Sequence, residues 1–235
     1  MNARDRLIVA LDVPKADAAR DLVDRLSGKV GMFKVGSQLF TAAGPGFVQE
    51  IVGRGEKVFL DLKFHDIPNT VAGAVSSASR LGVSLIDVHG LGGTAMLEAA
   101  VGALPAMKTR LLAITILTSH DEHSLDQIGV NGGVTHSVQR LALLARDAGL
   151  DGVVASPHEV GLIREACGAG FLIVTPGIRP AGTDAGDQVR AATPATALAA
   201  GADYLVVGRP ITAAEDPAAA AEAIVGEMRV ALGEV

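Results

Sequence analysis

Two lysines and two aspartates in the first third of the chain have the types and spacing of a charged active-site cluster. Asp61 and Lys63 are two residues apart in the apolar run Val58–Lys63, and Asp66 follows three residues after the lysine. Alternate residues of a strand face the same side, so Asp61 and Lys63 are expected to point together, within reach of Lys34 on a neighbouring run. A structural ion-pair network is the alternative. Because burying unused charges costs stability, four converging groups favour a functional site.

A glycine–arginine pair near the end of the chain has the chemistry of a phosphate site. Gly208 lets the backbone approach a ligand closely, and the guanidinium of Arg209 offers a fork of donors that suits phosphate. A solvated surface arginine is the alternative. Upstream, the segment from Arg179 to Arg190 contains two glycines and Gln188, and we interpret it as a lid over a bound anion.

Eight short apolar runs recur along the chain, and they predict the elements that position these groups. They lack strict alternation, which is typical of parallel strands covered on both faces. The runs are Leu7–Asp12, Met32–Gly36, Val58–Lys63, Leu85–Gly90, Leu111–Leu117, Gly152–Ser156, Leu172–Gly177 and Tyr204–Gly208.

Segments with helical spacing lie between the runs, for example Asp17–Leu26 and Thr135–Ala148, and the last begins with the capping pair Asp216-Pro217. Eight units in 235 residues give about 29 residues each, close to one strand and one helix. We therefore predict a single-domain α/β fold, a (β/α)8 TIM barrel over residues 1–235. A doubly wound sheet is disfavoured because no glycine-rich phosphate loop follows the first run.

In such a barrel, reactive residues gather at the carboxyl ends of the strands. The predicted ends add Asp12, Thr118 and Ser119 to the charged cluster and place Arg179, Gly208 and Arg209 after the last two strands, where barrels often bind phosphate. The histidines and the single cysteine form no spaced set of ligands, so no metal site is expected.

Composition removes several classes of function. The formal charge is −6, with 20 basic against 26 acidic residues, which argues against a nucleic-acid-binding role. No uncharged stretch is long enough for a membrane span, and no secretory signal is visible. A lone cysteine cannot form an internal disulfide. We expect a cytoplasmic protein whose positive contacts to any anion are few and local.

The segment from Asp61 to Thr70, DLKFHDIPNT, resembles the motif of the orotidine 5′-phosphate decarboxylase family. The resemblance extends over nearly the whole chain, through Leu11-Asp12, Phe33–Gly36, Leu117–Ser119, Thr175–Pro180, Gln188 and Val207–Pro210. It implies conversion of orotidine 5′-monophosphate to UMP and CO2 in pyrimidine biosynthesis, with no cofactor and no metal.

The same resemblance implies a role for each matching residue. Lys63 would protonate C6 of the pyrimidine, Asp61 would lie against the departing carboxylate, and Lys34 and Asp66 would complete the catalytic network. A homodimer is implied, in which Asp66, Ile67 and Thr70 reach the partner's site. The remaining substrate contacts would come from Asp12 and Lys34 on the ribose, Thr118 or Ser119 on the pyrimidine, and Arg179, Gln188, Gly208 and Arg209 on the phosphate.

Two rival functions are weighed against this one. Magnesium-dependent sugar-phosphate decarboxylases and aldolases share the Asp-x-Lys-x-x-Asp spacing. They hold the metal partly with a carboxylate after strand two, whereas here no acidic residue follows Lys34 until Glu50. A non-catalytic barrel that binds a phosphate ligand would leave Lys63 and both aspartates without a use.

Overall fold

Eight parallel strands close into one barrel with the strand order β1 to β8, and β8 pairs back onto β1. The computed structural model describes residues 1–104, 109–180 and 192–234. The strands are β1 Leu7–Ala10, β2 Met32–Gly36, β3 Val58–Phe64, β4 Leu85–His89, β5 Arg110–Ile114, β6 Gly152–Val154, β7 Leu172–Thr175 and β8 Tyr204–Val207. The predicted (β/α)8 barrel is confirmed.

Helices alternate with the strands and cover the outside of the barrel. They are α1 Ala3–Arg6, α2 Ala16–Leu26, α3 Ser37–Gly53, α4 Pro68–Ser79, α5 Gly93–Gly102, α6 Glu122–Gln127, α7 Gly133–Asp147, α8 Val160–Cys167, α9 Pro194–Ala199, α10 Arg209–Thr212 and α11 Pro217–Leu232, with single 3-10 turns at Gly90–Gly92 and Pro157–Glu159. Within the ranges that the structure describes, no helix is long and apolar enough to cross a membrane.

The helix boundaries follow local chemistry that the sequence displays. Asp216 caps α11 by accepting the backbone N–H groups of Ala218 and Ala219, and Pro217 occupies the first helical position. Gly82 and Gly149, which follow helices, adopt the left-handed conformation that glycine tolerates best.

Two apolar layers hold the barrel together. The larger packs the outward-facing strand residues against the helices, and the smaller fills the barrel interior. The interior layer consists of Ile8, Ala10, Met32, Phe59, Leu85, Leu112, Val174 and Val206. Every second residue beyond this layer therefore points toward the carboxyl-end mouth, which fixes where polar side chains enter the site.

Most strands are shorter at the carboxyl end than the apolar runs predicted. The strand β1 ends at Ala10 rather than Asp12, β5 at Ile114 rather than Leu117, and β7 at Thr175 rather than Gly177. Residues a little beyond these ends line the mouth of the barrel, namely Asp12, Ile116, Leu117, Pro176 and Gly177. Apolar composition alone cannot mark that point, because buried loop segments at the mouth are as apolar as the strands.

Candidate active site

A cavity of about 410 Å³ opens at the carboxyl ends of the strands. Seven of the eight strands or their following loops contribute to its wall, and β4 is the exception. The polar side chains in the wall are those of Asp12, Lys34, Asp61, Lys63, Thr118, Ser156, Arg179, Arg209 and Thr212. The position agrees with the place where barrel enzymes keep their reactive residues.

Four charges of alternating sign run along one side of this cavity. Lys34 Nζ lies 3.0 Å from Asp12 Oδ1 and 3.1 Å from Asp61 Oδ2, and the other oxygen of Asp61 accepts from Lys63 Nζ. The predicted convergence of Lys34, Asp61 and Lys63 is therefore present within one chain. The fourth member of the intrachain series is Asp12, whereas the cluster read from the sequence had Asp66 in that place.

The shared carboxylate is strongly biased toward its charged form. Burial acts to raise the pKa of Asp61, but the Lys34 ammonium, the neighbouring Asp87 carboxyl group and the Lys63 ammonium outweigh burial and hold that pKa far below its usual range. Burial likewise acts to lower the pKa of Lys34, and Asp61 and Asp12 together more than reverse it, so the pKa of Lys34 is raised. The cavity thus holds ionised groups at neutral pH.

Gly36 gives the Lys34 side chain the space that it needs. A Cβ atom at Gly36 would lie 2.9 Å from Lys34 Nζ and 3.1 Å from Asp12 Oδ1. Because Gly36 ends β2 and begins the turn into α3, a larger residue there would push directly on the ion pair. The sequence run Phe33–Gly36 therefore supplies both the ammonium and its clearance.

Across the barrel from β3, two guanidinium groups line the cavity from the segments that follow β7 and β8. Arg179 and Arg209 are close enough that Arg209, after burial, contributes to lowering the pKa of Arg179. Backbone bonds between Gly177, Arg179 and Ala192 tie together the two ends of the intervening segment. Gln188, and the predicted lid from residue 181 onward, lie outside the described residues.

The remaining predicted residues separate into two sets. Thr118 lines the cavity, whereas Ser119 is exposed and does not contribute to the wall. Asp66, Ile67 and Thr70 are exposed at the start of α4, and Ile67 is 66% exposed. Within one chain, these three side chains do not line the cavity.

Three polar residues at or beside the cavity were not among the predicted site residues. One of them, Thr212, lines the wall at the end of α10. Ser156 is buried in the cavity wall after β6. Asp87 is completely buried on β4 and accepts the backbone N–H of Lys63 through Oδ1 at 2.7 Å. The alternation of Leu85, Asp87 and His89 was the available sign, since it places the aspartate in the barrel interior.

The His65 and His89 rings stack beside the charged centre, with centroids 5.3 Å apart. His89 Nδ1 accepts the backbone N–H of Leu91, which requires an unprotonated nitrogen. Burial, and then the neighbouring His65 and Lys63, lower the pKa of His89 to about 4. Among the residues that the structure describes, no group of three or more histidine, cysteine or acidic side chains is arranged to hold a metal ion.

The closed barrel and its charged cavity define a class of protein, the (β/α)8-barrel enzymes. Within that class, the model of the orotidine 5′-phosphate decarboxylase / HUMPS family matches residues 5–224, and the chain belongs to this family.

Individual relatives agree with this membership. Orotidine 5′-phosphate decarboxylase of Moorella thermoacetica is 57% identical over 98% of this chain and 94% of its own. The protein of the same name from Syntrophotalea carbinolica is 56% identical over 100% of this chain and 99% of its own. The crystal structure of orotidine 5′-phosphate decarboxylase from Lactobacillus acidophilus superposes with a TM-score of 0.83 at 39% identity, covering 94% of this chain and 98% of that one.

Proposed function

We propose that this chain converts orotidine 5′-monophosphate to UMP and CO2, a step of pyrimidine biosynthesis. The observation that carries the proposal is the pair formed by Lys63 and the ionised Asp61, which faces a cavity with two arginines on its far side. The size of the cavity, about 410 Å³, suits one nucleotide.

The chemical step needs a positive charge where a carbanion develops. When the bond between C6 and the carboxylate breaks, CO2 leaves and its electron pair stays at C6, where no adjacent carbonyl delocalises it. The Lys63 ammonium stabilises that charge and then donates a proton to C6, which gives UMP. Asp61 and the charges around it fix the orientation of the ammonium.

Asp61 has a second role in the substrate complex. Asp61 is ionised, and the substrate carboxylate would lie against it. The repulsion between the two anions raises the energy of the substrate complex, and the loss of CO2 relieves it. The Lys34 ammonium, 3.1 Å from Asp61 Oδ2, balances the charge of that carboxylate.

The rest of the cavity binds the parts of the substrate that do not react. Asp12, with about half of its side chain exposed, and Lys34 hold the ribose hydroxyls. Thr118 contacts the pyrimidine, in preference to Ser119, because only Thr118 lines the cavity. Arg179, Arg209 and the backbone at Gly208 bind the phosphate, together with Gln188. Binding energy from the phosphate orders the site around the distant C6.

A homodimer completes the proposal. Asp66, Ile67 and Thr70 are exposed and do not line the cavity of their own chain, which leaves them available to a neighbouring chain. In a twofold dimer these residues would enter the partner's site, where Asp66 would join the charges around Lys63.

The reaction is proposed to need neither a metal nor a cofactor, since the Lys63 ammonium supplies the positive charge. The test is a spectrophotometric assay of orotidine 5′-monophosphate decarboxylation in the presence of EDTA. Formation of UMP at an undiminished rate supports the proposal. Activity that disappears with EDTA and returns with Mg²⁺ would favour the sugar-phosphate class, and binding without turnover would favour a ligand-binding barrel.

The cytoplasmic location stays a prediction from the sequence. Fractionation of the source cells, with immunodetection of the chain in the cytosolic, membrane and exported fractions, checks it.

A further inference from the structure

A carboxyl group lies beneath the charged cavity, and the mechanism above does not use it. Asp87 is completely buried at the centre of β4, between the inward-facing Leu85 and His89. It does not line the cavity, so it is not placed to contact the substrate. Burying an acidic side chain in a barrel interior costs free energy of folding unless its oxygens have partners. The contacts of Asp87 therefore indicate which role it has.

One oxygen of Asp87 holds the backbone of the proton donor. Lys63 has a φ of +52°, and among the described residues no other non-glycine has a positive φ. The register between β3 and β4 shifts between Leu60 and Phe64, so the regular ladder is interrupted at this point. The Lys63 N–H is satisfied by Asp87 Oδ1 at 2.7 Å. The side chain thus replaces the missing ladder bond and fixes an unusual backbone conformation.

The other oxygen of Asp87 faces the carboxylate of Asp61. Asp87 Oδ2 is buried and receives no N–H or O–H donor from the described residues, and the carboxyl group of Asp61 is close enough to act on its protonation. Two carboxyl groups share a hydrogen bond only when one of them carries a proton. Asp61 accepts from both Lys34 and Lys63, so the proton belongs on Asp87. Its burial, and then the nearby Asp61, raise the pKa of Asp87 well above its usual range.

We propose that Asp87 is a positioning residue that acts as a neutral carboxylic acid and holds both members of the Lys63–Asp61 pair. Its Oδ1 accepts the Lys63 N–H, and its protonated oxygen donates to Asp61. A neutral Asp87 also leaves two carboxylates, Asp12 and Asp61, opposite two ammonium groups in the chain. The inference rests on the proposed function, because it assigns Asp87 to the geometry of that reaction.

Two substitutions separate this role from simple packing. Asp87→Asn stays neutral, and its amide can accept from Lys63 and donate to Asp61, so kcat is expected to stay within about tenfold of wild type. Asp87→Leu has a similar volume but can do neither. Because small misplacements of reacting groups are costly, its kcat is expected to fall about 100-fold, while KM for orotidine 5′-monophosphate stays close to wild type.

Asp151, an exposed residue at the other end of the barrel, offers a control that makes the same kind of bond. Its Oδ2 accepts the backbone N–H of Leu111 at 2.8 Å, also between neighbouring strands, but far from the cavity. Asp151→Leu removes the same kind of bond and is expected to lower the melting temperature without changing kcat. Thermal unfolding of all variants identifies any loss of kcat that is due to unfolding.

The outcomes separate the inference from the proposed function. Wild-type turnover is measured first and tests the function alone. Wild-type kcat in Asp87→Leu, or an Asp87→Asn variant as slow as Asp87→Leu, would overturn the positioning role. If the leucine variant does not fold, a 100-fold loss in Asp87→Asn overturns it and near-wild-type kcat supports it. Independently of turnover, the infrared spectrum at neutral pH is expected to contain a protonated-carboxyl band that Asp87→Asn lacks. Its presence unchanged in that variant contradicts a neutral Asp87.

Discussion

The side chains proposed for chemistry and those proposed for phosphate binding lie on opposite sides of the cavity. On one side, Asp61 is shared between two ammonium groups, and the Lys34 side chain is as buried as the carboxylate that it contacts, with exposures of 10% and 11%. On the other, the arginines lie after β7 and β8. The separation predicts that substitutions on the two sides affect different kinetic constants.

Arg209→Ala is expected to raise KM for orotidine 5′-monophosphate by roughly 10- to 100-fold, the usual loss for a charged hydrogen bond, and to alter kcat much less. Steady-state kinetics check this. Arg229→Ala, which removes the same charge from the exposed face of α11, is the control and should leave both constants unchanged. An Arg209→Ala enzyme with wild-type KM would show that the phosphate site lies elsewhere.

Gly36→Ala is expected to disturb the Lys34–Asp12 pair without unfolding the chain. The added methyl would lie 2.9 Å from the Lys34 ammonium, which can move because it ends a flexible side chain. We expect kcat/KM to fall by roughly tenfold, with an unchanged melting temperature. Gly46→Ala, where a Cβ meets no atom within 4 Å, is the matched control. Equal kcat/KM in both variants would contradict the clearance role of Gly36.

Sequence reasoning located most of these side chains but not Asp87. Lys34, Asp61 and Lys63 were found because charged residues in apolar runs are conspicuous and strand alternation places them together. Asp87 has the same alternation, but it lies in the barrel interior below the cavity. Its contact with the Lys63 backbone depends on a register shift between β3 and β4 and on the positive φ of Lys63. Neither is visible in a residue pattern.

At the scale of the elements, the ends of β3 and β4 form one unit. Asp87 joins them from inside the barrel, and the stacked rings of His65 and His89 join them above it. The sequence predicted both strands to within one residue of their ends. The interruption between them could not be predicted, because there a side chain, that of Asp87, takes the place of a backbone acceptor.

The stacked histidines predict a pH dependence of stability. The pKa of His89 is lowered to about 4 in the fold, below the usual 6.5 of the unfolded chain, so between these values the unfolded chain binds more protons. Stability from this group is therefore complete above about pH 6.5 and is lost as the pH falls toward 4.

His89→Asn, whose side-chain oxygen can still accept the Leu91 N–H, is expected to lose less melting temperature between pH 7 and pH 5 than the wild type. Thermal unfolding at the two pH values is the measurement. Replacing the exposed His158 with Asn is the control. If His89→Asn and wild type lose the same melting temperature, His89 is not the group that titrates.

At the scale of the whole molecule, the barrel was predictable and its assembly was not. Eight apolar runs with helices between them match the count of a (β/α)8 barrel, and the missing glycine-rich loop disfavoured an open doubly wound sheet. The closed order β1 to β8 confirms the barrel. The dimer was inferred from the resemblance alone. A single chain shows only that Asp66, Ile67 and Thr70 are exposed and do not line their own cavity.

Complementation between two inactive variants tests the shared site. If Lys63 and Asp66 act in one site but come from different chains, Lys63→Ala and Asp66→Ala are each inactive. Unfolding and refolding them together in equal amounts should then restore about a quarter of wild-type activity, because half of the dimers are mixed and each has one intact site. The same variants refolded separately are the control. No recovery in a mixture shown to be dimeric by sedimentation would contradict a contribution of Asp66 across the interface.

The central claim is that Lys63 donates the proton to C6. A site that lacks the Lys63 side chain should therefore still bind the nucleotide but not decarboxylate it. The most direct measurement is single-turnover decarboxylation by Lys63→Ala, with UMP binding measured on the same sample and Lys57→Ala, at an exposed position just before β3, as the control. The predicted result is a rate at least roughly 10⁴-fold below wild type, with UMP still bound and with full activity in the control. Turnover by Lys63→Ala within tenfold of wild type would contradict the account.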